Sequence, residues 1–414
     1  MISVSVAQRI VFEAIAKLQI ENSEIVSLEK SRGLILNTDI FGERNQPPFH
    51  RVMMDGMAIN FSEFEKSRKR KFKVESIARA GTPAHSLINK SNAIEVMTGA
   101  PLPVGCDCVI RYEDLIEEIN GSETFQTIVD SVELSSFKNI HPLGSDYQKG
   151  DVILKSGSLI DSTIMAILAS QGLKEVSVKL LPKVAIISTG DELVNPGEVI
   201  LDHQIRRSNP FAIKSEIENF SSNVPVKLFH LNDEQESMKK ILREVFKDYQ
   251  LIIISGGVSK GKFDFIPETL KELGAVEHFH KVSQRPGKPL WFGTGKEDQI
   301  IFALPGNPVS SLVSTRRYIV PVLNYLLTKK ENKPFQIRLK SDFEFSPSMT
   351  YFLPVVLDIE EGAVVGEPLV GNCSGDFSAL ASSSGFIELP SDVKQFKAGE
   401  LFDYYRWSGK GALL

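Results

Sequence analysis

The chain has 414 residues, 42% of them hydrophobic and 24% charged, which is the composition of an ordinary globular protein. Its length predicts about two to four domains, and its formal net charge of −5 argues against a nucleic-acid-binding protein. No apolar run approaches the ~18 residues that span a bilayer, so a membrane protein is not expected. The three cysteines form no disulfide framework and fit a cytoplasmic protein.

The amino-terminal part of the chain predicts a helix and then a small β domain. Apolar residues at helical spacing within residues 1–20 indicate an amphipathic helix. Residues 45–138 hold short β-like segments between Gly and Pro turns. Cys106 and Cys108 are expected on one face of a strand, as core packing rather than half a metal site. The predicted elements are the strands Lys73–Ile77, Ala93–Met97, Asp107–Tyr112 and Thr127–Val132, and a later helix over Ser162–Gln171 that Gly172 ends.

Strands and helices alternate between about residues 178 and 327. This alternation predicts right-handed βαβ units and a mostly parallel sheet. Asp233 and Glu236 resemble a capping box for one helix, and Asn307 with Pro308 is expected to open the last one. The predicted strands are Lys183–Ser188, Val226–His230, Tyr249–Ile254, Trp291–Gly293 and Ile300–Ala303, and the predicted helices begin near Asn209, Asp233, Ile266 and Pro308, the last of them kinked at Pro321.

From about residue 328 the pattern returns to short strands. Their shortness and close spacing predict a small terminal β-barrel. The predicted strands are Phe335–Leu339, Tyr351–Leu357, Gly385–Leu389 and Leu401–Trp407.

Three loops of unusual chemistry leave strands of the predicted parallel sheet: STGDE, SGGVSKGKFD and ALPGNPVSS. Because the carboxyl ends of parallel strands meet at one edge, we expect these loops to converge there. The Gly256-Gly257 pair and the helix start at Asn307 would present backbone N–H groups to an anion. Lys281, Arg285 and Lys288 lie between the last two loops, and they favour a phosphorylated or otherwise polyanionic ligand.

The same loops contain carboxylates, which would repel such a ligand without a cation between them. Asp191, Glu192 and Asp264 are the acids in question. Mg²⁺ is commonly held by one or two carboxylates together with phosphate oxygens, so a magnesium site is expected here. The alternative for Asp191 and Asp264 is that they cap helices or bind loop amides, and the sequence leaves that open.

Six motifs in order, MMDGMAI, MTGAPLPVG, STGDEL, SGGVSKGKFDF, RPGKP and LPGNPVSS, make the chain resemble the molybdopterin molybdenumtransferase family, which is related to the gephyrin E domain. The resemblance implies a multidomain α/β plus β fold and an elongated homodimer. The implied parts are an amino-terminal helix in 1–20 that packs on the cofactor domain, an elongated connecting domain from 21–44 and 139–177, an inserted β domain of 45–138, a three-layer α/β molybdopterin-binding domain of 178–327, and a carboxyl-terminal β-barrel of 328–414.

The resemblance also implies the reaction and its residues. The family inserts molybdate into the dithiolene of adenylylated molybdopterin, releases AMP and requires a divalent cation, expected to be Mg²⁺. The active site would lie between the cofactor domain of one subunit and the β domain of its partner, with Asp55 orienting the attacking oxygen. The implied catalytic residues are Asp55, Thr98, Glu192 and Asp264, of which Glu192 and Asp264 would hold the metal. The implied substrate-binding residues are Asp146, Asp233, Ser255, Gly256, Gly257, Lys281, Arg285, Lys288, Pro305, Asn307 and Pro308.

The chain departs from the family pattern at several positions. Met57 replaces an aromatic residue, and Arg285 replaces a lysine, which keeps the charge but not the geometry. The segment Ile140–Asp146 keeps its final aspartate but lacks the expected arginines. In the barrel an expected arginine is Pro354, and the small-residue loop reads Asn372–Asp376. These changes concern molybdate binding and the barrel rather than the cofactor-domain loops.

Two other functions are compatible with parts of the sequence. An adenylyltransferase that activates molybdopterin with ATP is typically a single α/β domain, and the additional domains here argue against it. A non-catalytic dimeric scaffold is the third class, although the chain contains nothing like a long linker to another module. Tungstate has nearly the size and charge of molybdate and is an alternative substrate.

Overall fold

A computed structural model describes residues 1–18, 23–221, 223–258, 265–331, 333–371 and 376–407. The chain divides into two compact units. The first unit comprises Met1–Asn37, Gly157–Met165 and Lys174–Leu414, and the second comprises Thr38–Ser156 and Ala166–Leu173. The finer domain boundaries expected from the sequence stay a prediction.

Most helices of the described residues occur where capping residues and apolar spacing predict them, whereas the short helices Phe61–Ser67 and Ser378–Ser382 are not predicted. The amino-terminal helix begins after Ser3, whose hydroxyl accepts a hydrogen bond from the Val6 amide. Its Phe12 packs edge-to-face against Tyr325 within the first unit. The α-helices are Val4–Ile15, Phe61–Ser67, Ser162–Ser170, Asn209–Phe220, Gln235–Asp248, Ile266–Glu272, Pro308–Ser314, Val320–Thr328 and Ser378–Ser382.

The central sheet of the first unit is mostly parallel, as predicted. Its strand order is Val226–Leu231, Val184–Thr189, Leu251–Ser255, Ile300–Leu304, Trp291–Thr294 and Val276–His280. The first four strands run parallel to one another. The strand Trp291–Thr294 pairs antiparallel with both of its neighbours, so Val276–His280 at the edge again has the direction of the first four. Ser188 lies opposite Ser255, which in turn lies opposite Leu304, so three strands end at the same level. The loops that follow them therefore leave the sheet at one edge.

Two helix predictions for this unit are refined by the structure. The helix Gln235–Asp248 buries Met238, Leu242 and Val245 against the sheet, as its apolar spacing predicts. Its cap is Glu234, whose carboxylate accepts from the Ser237 amide, so the predicted capping box at Asp233 is wrong by one residue. The last helix is interrupted by a π-helical turn, Thr315–Ile319, immediately before the segment that contains Pro321.

The second unit contains an inserted sheet with the strand order Cys108–Arg111, Gly56–Ile59, Ala93–Val96, Lys71–Ala78, Glu123–Ile128 and Leu115–Asn120. The predicted strand Thr127–Val132 is wrong in its bounds, because the observed strand ends at Ile128. The expectation that Cys106 and Cys108 share a strand face is also wrong. The strand begins at Cys108, and the two buried thiols belong to different hydrophobic clusters. Their assignment to the core is confirmed.

The carboxyl-terminal strands form a closed barrel, as predicted. Around the ring of described residues the strands are Thr350–Glu360, Ala363–Pro368, Phe335–Leu339, Leu401–Arg406 and Gly385–Leu389, and the last of these pairs with the first. The short strand Gln284–Arg285 attaches to Thr350–Glu360. The remaining strand pairs are Ser23–Ser27 with Glu175–Lys179, Ile40–Phe41 with Val152–Leu154, Arg51–Val52 with Ile140–His141, Leu193–Val194 with Ile205–Arg206, and Phe343–Glu344 with Gln395–Phe396. Within the described ranges, no helix has the length and apolar character to cross a membrane.

Candidate functional site

A cavity of about 300 Å³ lies at the carboxyl edge of the central sheet. It is bounded by the loops that follow the strands ending at Thr189, Ser255 and Leu304, so the predicted convergence of these loops is observed. The sequence-predicted residues among its lining are Glu192, Asp233, Ser255, Gly256, Gly257, Pro305 and Pro308. Lining residues that the sequence did not single out for binding include Ser188, Thr189, Arg206, Arg207 and Asn209.

The paired glycines at the end of the strand Leu251–Ser255 are required by packing. Gly256 has φ +109°, and a Cβ there would lie 2.5 Å from Thr189 Oγ1 and 3.0 Å from the Thr189 carbonyl oxygen. Gly257 has φ +72°, and its Cβ would lie 2.7 Å from the side chain of Ile266. The Gly256 N–H donates to the Leu304 carbonyl at 3.0 Å. The prediction that both glycine amides face a ligand is therefore wrong for Gly256.

Asn209 connects two walls of the cavity. Its Nδ2 donates to Ser255 Oγ and to the Gly306 carbonyl oxygen, both at 2.8 Å. The Ser311 hydroxyl donates to the Pro305 carbonyl, also at 2.8 Å. Ser255 is only 3% exposed, so its contact with Asn209 is shielded from water, whereas the contact with the Gly306 carbonyl is exposed. In the sequence, Asn209 indicated only a helix start, and its bridging role depends on contacts between distant segments.

Two acids at the cavity have different roles. The Glu192 carboxylate lies over Gly190, where a Cβ would be 2.8 Å from its Oε1, and Glu192 lines the cavity. Asp191 Oδ1 accepts from the Asp233 amide at 3.2 Å, which is the loop-amide role left open by the sequence. Asp264, the other predicted metal ligand, lies outside the described residues.

The described residues suit a magnesium site that relies on its substrate. They contain no group of three or more His, Cys, Asp or Glu side chains placed to hold a metal. Glu192 and Asp233 nevertheless line the cavity, and carboxylate oxygens are the ligands that Mg²⁺ prefers. One or two protein carboxylates are sufficient when phosphate oxygens complete the shell.

Asn307 acts as the predicted helix cap. Its Oδ1 accepts from the Ser310 amide at 3.0 Å, and Pro308 occupies the first turn. Pro305 and Pro308 line the cavity on either side of it. The local prediction from the sequence PGNPVSS is thus confirmed, while the binding role of these residues stays a prediction.

Lys281, Arg285 and Lys288 are not among the lining residues that the structure describes. The Arg285 guanidinium lies 5.8 Å from the ring centroids of both Phe345 and Tyr351 in the barrel. This stacking directs its side chain to an aromatic surface. That these three residues bind an anion stays a prediction.

Arg207 is a lining residue that is almost fully buried, with 9% of its surface exposed. Its Nη1 donates to Asn195 Oδ1 at 2.5 Å, and its Nη2 donates to the Phe229 carbonyl at 3.0 Å. Burial lowers the pKa of this guanidinium. Burial and the neighbouring Arg207 charge also lower the pKa of His230, which favours a neutral imidazole. The sequence QIRRSN contains two arginines, but the burial of the second could not be read from it.

In the second unit, Asp55 and Thr98 are brought together as predicted. The Thr98 amide donates to Asp55 Oδ1 at 2.6 Å, and this hydrogen bond lowers the pKa of Asp55. Gly56 follows at φ +154°, where a Cβ would lie 1.9 Å from the Ile110 carbonyl oxygen. Tyr112 bonds to Glu95 close by, and burial raises the pKa of the Tyr112 hydroxyl. The turn after Asp55 is therefore fixed by a residue that must be glycine.

Asp146 belongs to a chain of hydrogen bonds in the same unit. Arg51 Nη2 lies 2.9 Å from His141 Nδ1, and His141 Nε2 lies 2.8 Å from Asp146 Oδ1. Because arginine has only donors, Nδ1 must accept and Nε2 must donate to the carboxylate. Arg51 thus supplies a guanidinium to a segment that lacks the arginines expected there.

The other departures from the family pattern fall in different environments. Met57 is fully buried in the inserted sheet, so its replacement of an aromatic residue changes core packing. Pro354 lies in a barrel strand opposite Phe386. In the loop that follows, residues 372–375 lie outside the described residues, whereas Asp376 accepts from the Ser378 hydroxyl at 2.7 Å.

Comparison with protein families gives three consecutive matches. Residues 2–172 match the MoeA N-terminal region (domain I and II), and residues 185–325 match a probable molybdopterin binding domain. Residues 336–407 match the MoeA C-terminal region (domain IV). The cavity lies mainly within the second of these regions.

Curated relatives match over almost the whole chain. A molybdopterin molybdenumtransferase from Synechocystis sp. is 40% identical over 384 residues, which is 92% of this chain and 94% of the relative. A protein of the same name from Staphylococcus epidermidis is 32% identical over 403 residues, covering 94% of each. A crystal structure of the molybdopterin biosynthesis MoeA protein from Pyrococcus horikoshii superposes with a TM-score of 0.80 at 25% identity, covering 98% of this chain and 100% of that one.

Proposed function

The chain belongs to the MoeA family of molybdopterin molybdenumtransferases, and from this membership we propose that it inserts molybdate into the dithiolene of adenylylated molybdopterin with release of AMP. The family comprises transferases of molybdenum cofactor biosynthesis. The observation that carries the finer proposal is the convergence of the STGDE, SGGVS and PGNP loops on one cavity. We place the reaction in the cytoplasm, which suits the free, buried thiols of Cys106 and Cys108.

The cavity binds the pterin and the phosphoanhydride. Gly256 and Gly257 allow the loop after the strand to pack on Thr189 without a side chain between them. Asn209 holds this loop to the Pro305-Gly306 loop, which fixes the width of the cavity. Such a preformed site reduces the entropy that is lost when the ligand binds.

In the reaction an oxygen of water or of molybdate attacks the phosphorus on the pterin side of the phosphoanhydride and forms a new P–O bond. The bond from that phosphorus to the bridging oxygen breaks, and this oxygen leaves with AMP. The two dithiolene sulfurs bind molybdenum in place of one molybdate oxygen, which takes up the thiol protons and leaves as water. Asp55 orients the attacking oxygen, since its carboxylate is held by the Thr98 amide and stays ionised. Lys281, Arg285 and Lys288 attract molybdate to the dithiolene sulfurs.

Mg²⁺, when bound, neutralises charge on the phosphoanhydride. Glu192 would hold it together with Asp264, while phosphate oxygens fill the remaining positions. Gly190 supports this role because its missing side chain leaves room for the Glu192 carboxylate.

We also propose that the protein acts as a homodimer in which Asp55 and Thr98 of one subunit serve the cavity of the other. A complementation experiment tests this arrangement. Asp55→Asn and Glu192→Gln chains are each expected to be inactive alone, whereas a mixture of the two forms heterodimers with one intact site. In an equal mixture about half of the dimers are heterodimers with one of two sites intact, so about a quarter of the wild-type rate should return. A mixture that stays inactive while heterodimers form would refute the shared site.

The comparisons do not favour the alternative functions. The match extends over the regions on both sides of the molybdopterin-binding domain, which an adenylyltransferase of one domain would lack. Incubation with ATP and molybdopterin should therefore give no adenylylated product. The preference between molybdate and tungstate is tested by direct competition, in which both oxyanions are offered together and the metal bound to the pterin is identified.

The deciding experiment combines the protein with adenylylated molybdopterin, Mg²⁺ and molybdate. AMP release and molybdenum bound to the pterin are both expected. Glu192→Gln should reduce both, and Glu244→Gln, an exposed acid that pairs with Lys247 on a helix, is the matched control. Unchanged AMP release in Glu192→Gln would contradict the proposed role of the cavity.

A further inference from the structure

Arg207 is a buried cation whose direct partners among the described residues carry no charge. None of the salt bridges that arginines form in the described part of the chain involves it. The acceptors of its hydrogen bonds, Asn195 Oδ1 and the Phe229 carbonyl, are both neutral. Its Nε is fully buried and has no hydrogen-bond partner among the described residues.

Such an arrangement is costly unless a ligand compensates it. Removing a charge from water without a nearby countercharge is unfavourable even after relaxation. No titratable group supplies that countercharge by direct contact within the described residues. Glu198 attracts the guanidinium, but Asn195 lies between them, since Asn195 accepts from Arg207 and donates to Glu198 Oε1 at 3.0 Å. Burial and the Arg207 charge favour the neutral form of His230.

The cavity beside Arg207 has the volume and the chemistry for an anion. Arg207 and Arg206 both line it, together with Ser255 and the glycine pair. Arg206 is exposed and donates to the Asn195 carbonyl at 2.7 Å, so it lies at the solvent-facing side of the cavity and not in its buried part. The acids Glu192 and Asp233 line the same cavity.

We infer that Arg207 supplies the countercharge for a phosphate group in this cavity and so selects a phosphorylated ligand. The inference deepens the proposed function, because the phosphoanhydride of the adenylylated pterin is such a group. The Arg207 guanidinium would serve as the countercharge for any phosphoester of similar size. A guanidinium suits this role because it cannot lose its charge at physiological pH and presents several donors.

Binding of simple anions tests the inference without the full reaction. Pyrophosphate, inorganic phosphate and adenosine are titrated into the whole protein by calorimetry. Arg207→Met should weaken the affinity for pyrophosphate about 10-fold or more, because this variant loses the contact between a positive charge and the phosphate. Arg207→Lys keeps a positive charge, so it should retain most of the affinity for pyrophosphate. Inorganic phosphate should show a smaller loss, and adenosine should show none. Arg243→Met, an exposed arginine on a helix, should bind all three as the wild type does.

Thermal unfolding separates binding from folding. Without ligand, Arg207→Met should melt within a few degrees of the wild type, because its lost hydrogen bonds are offset by removal of a buried charge. Pyrophosphate should raise the melting temperature of the wild type but not of Arg207→Met. Unchanged pyrophosphate affinity in a folded Arg207→Met, or failure of both Arg207→Met and Arg207→Lys to fold, would overturn the inference. Wild-type protein that binds pyrophosphate through Arg207 but releases no AMP would refute the proposed function alone.

Discussion

The cavity of the first unit and the Asp55 turn of the second unit are built in different ways. The cavity is enclosed by a glycine pair that packs on Thr189 and by Asn209, which bonds to two loops. Asp55 is exposed, and its carboxylate is held by the backbone amide of Thr98. Both regions require a glycine, Gly256 in one and Gly56 in the other, but only the cavity adds a buried polar network.

The difference indicates that the two regions have separate roles, ligand binding for the cavity and catalysis for Asp55. A rigid, shielded cavity suits tight binding of a ligand, because little order is lost on association. An exposed, ionised carboxylate suits contact with a reacting oxygen that arrives with the substrate. Changes in the cavity should therefore affect both stability and binding, whereas changes at Asp55 should affect catalysis and leave binding in the cavity unchanged.

The largest effect is expected for Gly256→Ala. The new Cβ would lie 2.5 Å from Thr189 Oγ1 and 3.0 Å from the Thr189 carbonyl oxygen, and a φ of +109° is itself strained for alanine. The free energy of unfolding should fall by about 2–4 kcal/mol and AMP release by roughly 100-fold. Urea denaturation measures the free energy of unfolding, and the AMP assay measures the rate of AMP release.

Gly81→Ala is the matched control, because Gly81 has φ +80° and no atom lies within 4 Å of the position that a methyl group would take there. It should cost only about 1 kcal/mol, from backbone strain. Equal losses in the two variants would show that contact with Thr189 is unimportant.

A smaller effect is expected for Asn209→Ala. Loss of the two hydrogen bonds at 2.8 Å leaves Ser255 and the Gly306 carbonyl poorly satisfied. Stability should fall by about 1–3 kcal/mol, and the KM for adenylylated molybdopterin should rise about 10-fold. The matched control is Asn219→Ala, because Asn219 lies on the same helix and has only a 3.4 Å contact to Ser215. This variant should change neither the stability nor the KM beyond experimental error. A normal KM in folded Asn209→Ala would contradict a role for Asn209 in shaping the cavity.

Asp55→Asn should separate the two regions. Its amide oxygen can still accept from Thr98, so the fold should persist, while AMP release should fall at least about 10-fold. Pyrophosphate affinity should stay unchanged. Weaker pyrophosphate binding in this variant would contradict the assignment of binding and catalysis to separate regions.

The pH dependence of stability follows from the lowered pKa of Asp55. A carboxyl with a depressed folded pKa contributes stability above its unfolded pKa, which is near the ordinary value of 3.8, and loses it as the pH falls through the folded pKa. The stability difference between wild type and Asp55→Asn should therefore be constant from about pH 7 to 5 and shrink only below about pH 4. An NMR titration of the Asp55 carboxyl should give a midpoint below 3.8. A midpoint above that value would contradict the observed hydrogen bond.

The smallest effect is expected for the cysteine thiols of the inserted sheet. Burial raises the pKa of both Cys106 and Cys108 to about 12. In a Cys373→Ser background at about pH 8, the folded protein should react with a thiol reagent at least ~100-fold more slowly than the unfolded chain, since the thiolate is the reactive form. Rapid labelling of the native protein would mean that the core of the inserted sheet is open.

Sequence patterns predict the local structure of the cavity well. The apolar strands, the Asn307 cap and the convergence of three loops all follow from short-range rules and the geometry of parallel sheets. The cap of one helix is Glu234 rather than the expected Asp233, since both residue types accept hydrogen bonds and only the backbone conformation chooses between them.

What the sequence does not predict depends on contacts between distant segments. Asn209 bonds to Ser255 and Gly306, and Arg207 is buried against Phe229. The stacking of Arg285 on barrel aromatics could not be inferred from the adjacent RPGKP motif. The shared face expected for Cys106 and Cys108 is wrong because the alternation of a strand does not apply before the strand begins at Cys108.

The most direct test of the cavity as the substrate site is a crystal structure of the protein soaked with adenylylated molybdopterin. The ligand should lie between the glycine pair and Pro305, with a phosphate group beside Arg207. Crystals that release AMP while the ligand occupies another surface and this cavity stays empty would contradict the account.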